Sequence, residues 1–278
     1  MCNSNITKAI ITCGGYATRF LPISRSIPKE MLPIGNKPVI HYIMEELREA
    51  GVRDVLMLIG RGREVMQNYF DANPEINLDA LFPDINIYYR RVPMPRGSAD
   101  NIWHAKDFVG GEHFLVAYCD DVFFDGNPSK ELTADYEKNG KPVIAVYKVP
   151  KEHTHKYGII APHNTTQNSR VFDVAEIVEK PKNNPPSCLA SVGRFLLSSE
   201  IFELIEHDMK KNSPFIKGGV GAADGGFVCM TQQLNKLARS GCLRAVSTAS
   251  TRFDTGTAEG LLQANCFAHG ISTSRCDR

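Results

Sequence analysis

The sequence predicts an α/β protein built on a single mixed, mainly parallel sheet flanked by helices. In the first half of the chain, short β-branched apolar runs alternate with helical patterns, a rhythm typical of a parallel sheet wrapped by helices. The second half continues with more mixed strand-like and helical runs, and no internal repeat, low-complexity tract or linker divides the chain. We therefore expect one domain over residues 1–278, with a first part over 1–125 and a second part over 126–278 that includes a C-terminal elaboration.

The first half is predicted to contain four strands and three helices. The first strand, KAIIT, is a compact apolar run that leads straight into two glycines. The helix VIHYIMEELREAG has apolar residues at helical spacing, and Gly51 is a plausible C-terminal stop. The predicted strands span 8–12, 54–60, 85–92 and 112–124, and the predicted helices span 39–51, 64–71 and 98–109.

The second half mixes strands and helices less regularly. The run VFDVAEIVEKP alternates enough to predict a strand, and it leads into a loop rich in Pro and Asn. SEIFELIEHDMKK and GTAEGLLQANCFAHG have helical patterns, and the stretch over 226–241 is helical toward its end. The predicted strands span 142–149, 157–162, 171–181, 189–198 and 243–250, and the predicted helices span 199–211 and 256–270.

Composition and charge argue against several classes of protein. Lys and Arg number 32 against 31 Asp and Glu, so the formal net charge of +1 gives no electrostatic reason to expect nucleic acid or an anionic membrane as partner. No apolar run approaches the roughly 20 residues that span a bilayer, and the N-terminal residues lack the pattern of a signal peptide. None of the eight cysteines forms a CxxC pair. We expect a cytoplasmic protein with reduced cysteines.

The stretch GGYATRFLPISRSIPKEMLPIGNKP after the first strand carries the densest set of chemistry-bearing side chains. Gly14 and Gly15 lack a Cβ, so the backbone can turn sharply and approach a ligand. Arg19 and Lys29 bring positive charge suited to phosphate oxygens, and Thr18 adds a hydroxyl donor. The stretch is neither the dinucleotide fingerprint GxGxxG nor a Walker A loop, because no GK[ST] follows the glycines. From spacing alone, a plain strand-to-helix turn with a solvated basic loop is an equally good interpretation.

This stretch resembles the nucleotide-binding signature of sugar-phosphate nucleotidyltransferases, GxGTRxxPxTxxxPKxxxPxxxKP. Its segment SIPKEMLPIGNKPVI, over 26–40, is especially similar to the bacterial UTP–glucose-1-phosphate uridylyltransferases, in which IPKEMLP is typical. Further similar segments follow in the family's order and spacing, namely YCDDV at 118–122, YGII at 157–160, VEKPK at 178–182, PSCLASVGRFLL at 186–197 and FDTG at 253–256. The resemblance therefore covers nearly the whole chain.

The resemblance implies a Rossmann-like fold of the nucleotide-diphospho-sugar transferase kind and a magnesium-dependent reaction. A nucleoside triphosphate and a sugar 1-phosphate would give an NDP-sugar and pyrophosphate, with UTP and glucose 1-phosphate as the default pair. Residues 1–125 would then bind the nucleotide, and residues 126–278 would bind the sugar phosphate. No covalent intermediate is required, because two anions have only to be screened and aligned in line.

Three cations match catalytic positions of the family. Arg19 and Lys29 match residues that contact the triphosphate and stabilise charge on the pyrophosphate. Lys180, in EKP, matches the lysine that grips the sugar phosphate. The resemblance further implies nucleotide contacts for Gly14, Gly15, Thr18 and Gly97, and sugar-phosphate contacts for Gly158, Glu179, Lys180 and Gly193.

Two aspartates match the magnesium ligands of the family. Asp120 lies in YCDDV at the end of an apolar run, and Asp254 lies in FDTG. Mg²⁺ favours carboxylate oxygens together with phosphates and retained waters, so two acids without His or Cys are a suitable ligand set. Asp121 is an alternative ligand beside Asp120. Taken singly, Lys180 is better explained as an exposed loop cation and Asp254 as a turn acid, and only their joint order in the chain favours the functional roles.

Several departures from the family pattern fall on substrate recognition. The glycine before Thr-Arg is Ala17 here, and Val92 aligns with a glutamine that reads the base, although valine cannot hydrogen-bond a base edge. The family's GLGHA segment is GSADN at 97–101, in which Ala99 replaces a glycine. Phe227 aligns with a glutamate that contacts sugar hydroxyls. Losing that acceptor would leave a glucose hydroxyl poorly paired, at a cost of roughly 1–3 kcal/mol.

These departures leave the substrates open. The enzyme is either a divergent glucose-1-phosphate uridylyltransferase whose base contacts come mainly from backbone, or it uses another nucleotide or a modified, less hydroxylated phosphate. A non-catalytic sugar-nucleotide sensor is the alternative from a different class. The joint retention of the charged set argues against a sensor, the set being Arg19, Lys29, Asp120, Lys180 and Asp254. The resemblance also implies a homo-oligomer.

Overall fold

The computed structural model describes residues 6–76, 78–92, 96–163, 169–211 and 228–271. Within them the strands are β1 (Lys8–Cys13), β2 (Pro33–Ile34), β3 (Lys37–Pro38), β4 (Asp54–Ile59), β5 (Asn86–Arg91), β6 (Phe114–Tyr118), β7 (Asp121–Phe124), β8 (Val143–Lys148), β9 (Gly158–His163), β10 (Val171–Glu179), β11 (Leu189–Leu197), β12 (Arg244–Ser247) and β13 (Thr251–Asp254). The helices are α1 (Val39–Glu49), α2 (Glu64–Phe70), α3 (Ser98–Trp103), α4 (Lys106–Val109), α5 (Pro128–Asn139), α6 (Ile201–Lys211), α7 (Met230–Arg239) and α8 (Ala258–Ala268). In this described part of the chain, no helix has the length and apolar character needed to cross a membrane.

The main sheet is mixed, as the sequence predicts, and its nine strands follow the order β5-β4-β1-β6-β11-β8-β12-β10-β9. The first four of these strands are parallel neighbours. β11 runs antiparallel between β6 and β8, and β10 runs antiparallel to both β12 and β9. β12 and β8 are parallel. Parallel pairing thus dominates the first half, whereas the second half is more antiparallel than the sequence indicates.

The central strands of the main sheet are buried on both faces. Along β1, Ile11 faces one hydrophobic cluster and Ile10 faces another on the opposite side. Leu47 of α1 packs in the first cluster, and Ile102 of α3 and Leu234 of α7 pack in the second. Strands covered by helices on both faces have continuous apolar sequences, which explains why KAIIT shows no alternation.

The predicted strand over 112–124 is divided in the structure. β6 ends at Tyr118, and β7 begins at Asp121 and leaves the main sheet to pair with β13, with Asp121 opposite Asp254. At the break, the guanidinium of Arg194 donates hydrogen bonds to the carbonyl oxygens of Tyr118 (3.1 Å) and Asp121 (2.8 Å). A buried side chain thus satisfies carbonyl groups at the point where the strand leaves its sheet.

One other predicted element is shortened, and one more is divided. The strand over 243–250 ends at Ser247, and the chain turns before β13 begins at Thr251, because the partner of β13 lies outside the main sheet. The helix over 98–109 is interrupted after Trp103, where the backbone tightens to i→i−3 hydrogen bonds. The remaining predicted strands and helices are confirmed, with ends shifted by a few residues.

Candidate active site

The glycine loop after β1 is held in place by neighbouring groups. A Cβ on Gly60 would lie 3.3 Å from the carbonyl oxygen of Gly14, so the two backbone segments are in close contact. Arg63 donates a hydrogen bond of 2.9 Å to the carbonyl oxygen of Gly15. The Nε atom of the same arginine lies 3.4 Å from the carboxylate of the fully buried Glu30. The conformation of the glycine loop is therefore held by contacts with Gly60 and Arg63.

The turn after the glycines contains Ala17 in a left-handed backbone conformation, with φ 51° and ψ 39°. Alanine is strained there by roughly 1–2 kcal/mol, which is why this position of the family pattern suits glycine. A short 3₁₀ turn over Thr18–Phe20 follows. Arg19 extends from this turn into a cavity of about 830 Å³. Thr18 is exposed, and it lines neither that cavity nor the two smaller cavities beside the glycine loop.

Lys29 and Asp120 form an ion pair at the carboxyl end of β6. The distance between Lys29 Nζ and Asp120 Oδ2 is 2.5 Å, and the lysine side chain is 11% exposed. Burial works to lower the pKa of the lysine, whereas the charge of Asp120 and its hydrogen bond to the lysine raise that pKa overall. Burial likewise works to raise the pKa of Asp120, but Lys29 and Arg19 outweigh it and lower that pKa. Both groups are therefore charged at neutral pH.

Three charged side chains converge on Gly256, in the turn after β13. A Cβ on this glycine would lie 2.8 Å from Arg19 Nη2, 2.9 Å from Asp120 Oδ2 and 3.0 Å from Asp254 Oδ1. Burial raises the pKa of Asp254, and the neighbouring carboxylates of Asp121 and Asp120 add to the rise. The carboxylates of Asp120 and Asp254 repel each other, and a cation bound between them would stabilise both in their charged forms.

This donor set fits a metal that completes its coordination with ligands from the substrate. Over the described ranges, no group of three or more His, Cys, Asp and Glu side chains is arranged to hold a metal ion. The Asp120–Asp254 pair alone would therefore hold such an ion, with phosphate oxygens and water as the other ligands, which is the usual environment of Mg²⁺. The small residue at 256 leaves the space between the two carboxylates open.

Asp121, the alternative ligand, is engaged by other partners. Its Oδ2 accepts a hydrogen bond of 2.8 Å from the backbone N–H of Gly193, and its Oδ1 accepts one of 2.7 Å from Arg252 Nε. A Cβ on Gly193 would lie 2.5 Å from the Cβ of Tyr118, so only glycine fits at this position. Both oxygens of Asp121 thus serve the packing of β11 and β13, and Asp120 is the aspartate that faces the cavity beside Lys29.

A cavity of about 830 Å³ extends from the three charged groups toward strands β8 to β11. Gly158 pairs with Glu179 at one end of β9 and β10, and a Cβ on Gly158 would lie 3.3 Å from Glu179 Oε2. Lys180 follows with φ 44°, and its Nζ lies 3.6 Å from the Glu179 carboxylate. The four residues expected to contact a sugar phosphate all line this cavity, namely Gly158, Glu179, Lys180 and Gly193.

Two smaller cavities adjoin the glycine loop on its other sides. One, of about 330 Å³, includes Lys29 and Asp120, and the other, of about 580 Å³, includes Val92. Gly97 lines the smaller one with φ 112°, and a Cβ there would lie 2.4 Å from the carbonyl oxygen of Val228. The residues common to both cavities are Gly14, Gly15 and Tyr16. Three of the four expected nucleotide-binding residues are thus brought together, and Thr18 is apart from them.

The residues that depart from the family pattern lie in different surroundings. Val92 is only 1% exposed and gives its cavity an apolar wall. Ala99 is fully buried in α3, and its N–H donates a 3.0 Å hydrogen bond to the carbonyl oxygen of Val228. Phe227 lies outside the described residues.

Sequence reasoning missed two arginines that support the site. Arg194 is fully buried, pairs with Glu46, and holds the carbonyl groups on either side of the strand break. Arg252 binds Asp121, and its guanidinium lies 5.2 Å from the ring centre of Tyr157. Arg194 lies inside the recognised segment PSCLASVGRFLL, and Arg252 directly precedes FDTG. That placement is the only signal the sequence offers for them.

The geometry indicates the class of enzyme. A glycine loop at the carboxyl end of a parallel sheet, facing cations and two converging carboxylates, is suited to the transfer of phosphate-linked groups with a metal ion. A family model described as nucleotidyl transferase matches residues 8–270, and the chain belongs to this family. The protein is thus a nucleotidyltransferase, and enzymes of the family generally use a divalent metal.

Several known proteins of this family are similar to the chain. The UTP–glucose-1-phosphate uridylyltransferase of Bacillus subtilis is 36% identical over 273 residues, covering 92% of this chain and 89% of that protein. The enzyme of the same name from Pseudomonas aeruginosa is 33% identical over 282 residues, covering 95% and 96%. The solved structure of UTP-bound UGPase from Acinetobacter baumannii matches with a TM-score of 0.81 at 27% identity, covering 94% of this chain and 93% of that one.

Proposed function

We propose that this nucleotidyltransferase joins UTP to glucose 1-phosphate and releases pyrophosphate. The observation that carries the proposal is the convergence of Arg19, Asp120 and Asp254 on Gly256. Asp120 lines both the 330 Å³ cavity at the glycine loop and the 830 Å³ cavity that contains Lys180. A nucleotide and a sugar phosphate bound in these cavities would meet at that aspartate. The similar enzymes support the choice of uridine and glucose.

The nucleotide is assigned to the part of the chain over residues 1–125. Its glycines at the loop let backbone groups approach the phosphates, and Lys29 and Arg19 supply charge to the triphosphate. Support comes from the shared cavity that joins these glycines to Lys29. The proposed nucleotide-binding residues are Gly14, Gly15, Thr18 and Gly97.

The sugar phosphate is assigned to the part over residues 126–278. Lys180 is a cation at the edge of the larger cavity, and Glu179 is an acceptor for sugar hydroxyls beside it. Gly158 and Gly193 keep the wall of this cavity free of side chains. The proposal places both parts in a single domain, and the nine-stranded sheet that combines strands from both supports it.

The proposed chemistry needs no covalent intermediate. A phosphate oxygen of glucose 1-phosphate attacks the α-phosphorus of UTP, the bond from that phosphorus to the oxygen bridging the β-phosphate breaks, and pyrophosphate leaves. Lys180 would hold the attacking phosphate. Lys29 and Arg19 would stabilise the negative charge that builds on the departing pyrophosphate. The residues of the chain thus act by positioning and electrostatics.

Magnesium is the proposed divalent metal, with Asp120 and Asp254 as its protein ligands. Bound Mg²⁺ would neutralise charge on the phosphates. The support is the 2.9 and 3.0 Å approach of the two carboxylates to one empty Cβ position, together with the raised pKa of Asp254. Asp254→Asn should raise the Mg²⁺ concentration needed for half-maximal activity. An unchanged metal titration would remove Asp254 from the ligand set.

A different nucleotide, or a modified and less hydroxylated phosphate, is the second candidate for this chemistry. One observation favours it: Val92 is buried and apolar at the position where the family pattern has a base-reading glutamine. Phe227 also departs from the pattern, but it lies outside the described residues and adds no structural argument.

The proposal also includes a cytoplasmic, homo-oligomeric enzyme without a nucleic-acid or membrane partner. Five cysteines in the described ranges are free thiols, as suits a reducing compartment, namely Cys13, Cys119, Cys188, Cys229 and Cys242. The net charge is +1. The oligomer rests on the family resemblance alone. Light scattering on the purified protein would measure the mass, and a monomer of 30.8 kDa would contradict it.

Pyrophosphate release with Mg²⁺ tests the function, measured over a grid of nucleoside triphosphates and sugar 1-phosphates. We expect the highest kcat/KM for UTP with glucose 1-phosphate. Lys29→Met should lower that value by roughly 100-fold or more, because a preorganised charge at the pyrophosphate is lost. The exposed Lys130→Met, whose residue pairs with Glu49 away from the cavities, is the matched control. No release for any pair, with ligand still bound, would instead indicate a sensor.

A further inference from the structure

Asn101 is a buried amide whose acceptor has no hydrogen-bond partner among the described residues. The residue lies in α3 and is 7% exposed. Its Oδ1 is buried and accepts no hydrogen bond in the described part of the chain. Leaving a buried polar atom unsatisfied destabilises the folded protein, so such an atom at a cavity points to a ligand that supplies the donor.

The amide lies between the glycine loop and the charged pair. Asn101 lines the 330 Å³ cavity together with Gly14, Lys29 and Asp120. A Cβ on Gly14 would lie 3.6 Å from Asn101 Nδ2 and 3.7 Å from its Oδ1, so the whole amide borders the space above this glycine. A nucleotide whose phosphates contact Lys29 would bring its nucleoside within reach of this side chain.

Two positions around the loop differ from the family pattern in opposite ways, one by losing a side-chain amide and the other by gaining one. Val92 takes the place of the base-reading glutamine, and Asn101 takes the place of the alanine in GLGHA. The cavities that these two residues line share Gly14 and Gly15. The chain therefore lacks an amide on one side of the loop and gains one on the other.

We propose that Asn101 determines nucleotide specificity by hydrogen-bonding the uracil of UTP. Its Oδ1 accepts a hydrogen bond from N3–H of the base, and its Nδ2 donates to an adjacent carbonyl oxygen of the same base. An amide carries both an acceptor and donors, so it complements this edge in one contact. This inference rests on the proposed transfer from UTP. Asn101 takes no part in the bond that forms or the bond that breaks.

Steady-state kinetics with two nucleotides test the contact. Wild type and Asn101→Ala are compared with UTP and with 3-methyl-UTP, which lacks the N3–H donor. For UTP, Asn101→Ala should raise KM and lower kcat/KM by roughly 10- to 100-fold, with the KM for glucose 1-phosphate unchanged. For 3-methyl-UTP the variant should change kcat/KM much less, because the N3–H donor is already absent and the methyl group prevents the amide from approaching the base. Equal effects on both nucleotides would overturn the proposal.

Three comparisons separate this contact from other roles of the residue. Asn139→Ala removes a partly buried amide in α5 whose bonds stay within its helix, and it should leave the KM for UTP unchanged. Asn101→Ser provides a smaller change if the alanine variant fails to fold, and the same loss of discrimination is expected. If either variant stops discriminating against 2′-deoxy-UTP while it still rejects 3-methyl-UTP, the amide binds the ribose and the base assignment is wrong.

A binding measurement keeps this inference separate from the reaction. Calorimetric titration with UTP and with 3-methyl-UTP reports affinity without turnover, and wild type should bind UTP at least about tenfold more tightly. Absence of pyrophosphate release together with selective UTP binding would reject the proposed reaction and retain Asn101. Turnover of UTP with equal affinity for both nucleotides would retain the reaction and reject Asn101, and failure to bind UTP would reject both.

Discussion

Arg194 and Glu46 form a buried ion pair with two parallel hydrogen bonds, each 2.9 Å long. Arg194 is fully buried and Glu46 is 8% exposed, and the hydroxyl of Ser129 donates a further bond of 2.5 Å to the same carboxylate. The guanidinium also holds the carbonyl groups of Tyr118 and Asp121, so the pair connects α1 and α5 with the break between β6 and β7. The stability of the fold and the position of the proposed metal site therefore both depend on Arg194.

Removing one member of this pair should destabilise the protein strongly. Arg194→Met leaves Glu46 buried without a charged partner, and such a change typically costs about 3–5 kcal/mol. The free energy of unfolding in urea measures the loss. The exposed pair of Arg48 and Asp84 provides the control, since Arg48→Met should change stability by less than about 1 kcal/mol. Comparable losses at the two sites would contradict the argument.

Substituting the two adjacent aspartates should separate activity from stability. Asp120→Asn should lower kcat by roughly 100-fold or more, because this carboxylate lines the 330 Å³ cavity beside Lys29 and Asp121 does not. Its loss of stability should be smaller than that of Asp121→Asn, because the Asp120 side chain is 23% exposed and that of Asp121 is 8% exposed. Asp121→Asn leaves the buried Arg252 without its charged partner and should destabilise the fold by roughly 1–3 kcal/mol. Pyrophosphate release measures the activity of both variants, and urea unfolding measures their stability. The reverse pattern would make Asp121 the residue of the site.

Two glycines near the carboxylates should respond differently to an added methyl group. At Gly256 the new Cβ meets only the ends of charged side chains, at 2.8 to 3.0 Å, so Gly256→Ala should raise the Mg²⁺ requirement with little loss of stability. At Gly260 the Cβ would lie 2.0 Å from the backbone oxygen of Asp254, so Gly260→Ala should mainly destabilise the fold. Metal titrations and thermal unfolding distinguish them. An unchanged metal requirement in Gly256→Ala would place the metal elsewhere.

Ala17 should be a position at which glycine stabilises the protein. The left-handed conformation costs alanine roughly 1–2 kcal/mol, and glycine avoids this strain. Glycine loses more conformational entropy on folding, which offsets about 0.5–1 kcal/mol of the gain. Ala17→Gly should therefore raise the free energy of unfolding by about 0.5–1 kcal/mol, as measured in urea. Ala17→Val should lower it by about 1 kcal/mol or more, because a β-branched side chain fits this conformation poorly. A destabilised glycine variant would count against the strain.

Local patterns were sufficient to predict the parallel half of the fold and the glycine loop. The strands β1, β4 and β6 are buried on both faces, so their continuous apolar runs identify them without knowledge of distant partners. The charged residues of the site were found because each stands in a motif whose order is recognisable, and the structure brings Arg19, Asp120 and Asp254 to one point. Their catalytic roles remain a prediction.

Features that depend on distant contacts were not predicted. The division of the run over 112–124 requires β13 as a new partner for β7 and Arg194 as a donor to the exposed carbonyls, and neither is visible in the run itself. Asn101 was missed for a similar reason, since a single amide in a helix becomes informative only when its burial and its missing partner are known. The antiparallel order of the second half likewise follows from long-range pairing.

The ribbon of β7 and β13 makes the proposed metal site depend on a part of the chain that is synthesised late. During translation the glycine loop and the parallel strands leave the ribosome well before β13, and the early part of a chain can begin to fold as it emerges. A chain terminated before Thr251 would possess the glycine loop and Asp120 but would lack Asp254, the second proposed metal ligand. Nucleotide could then be bound but not consumed, so incomplete polypeptides would not draw on the triphosphate pool of the cell.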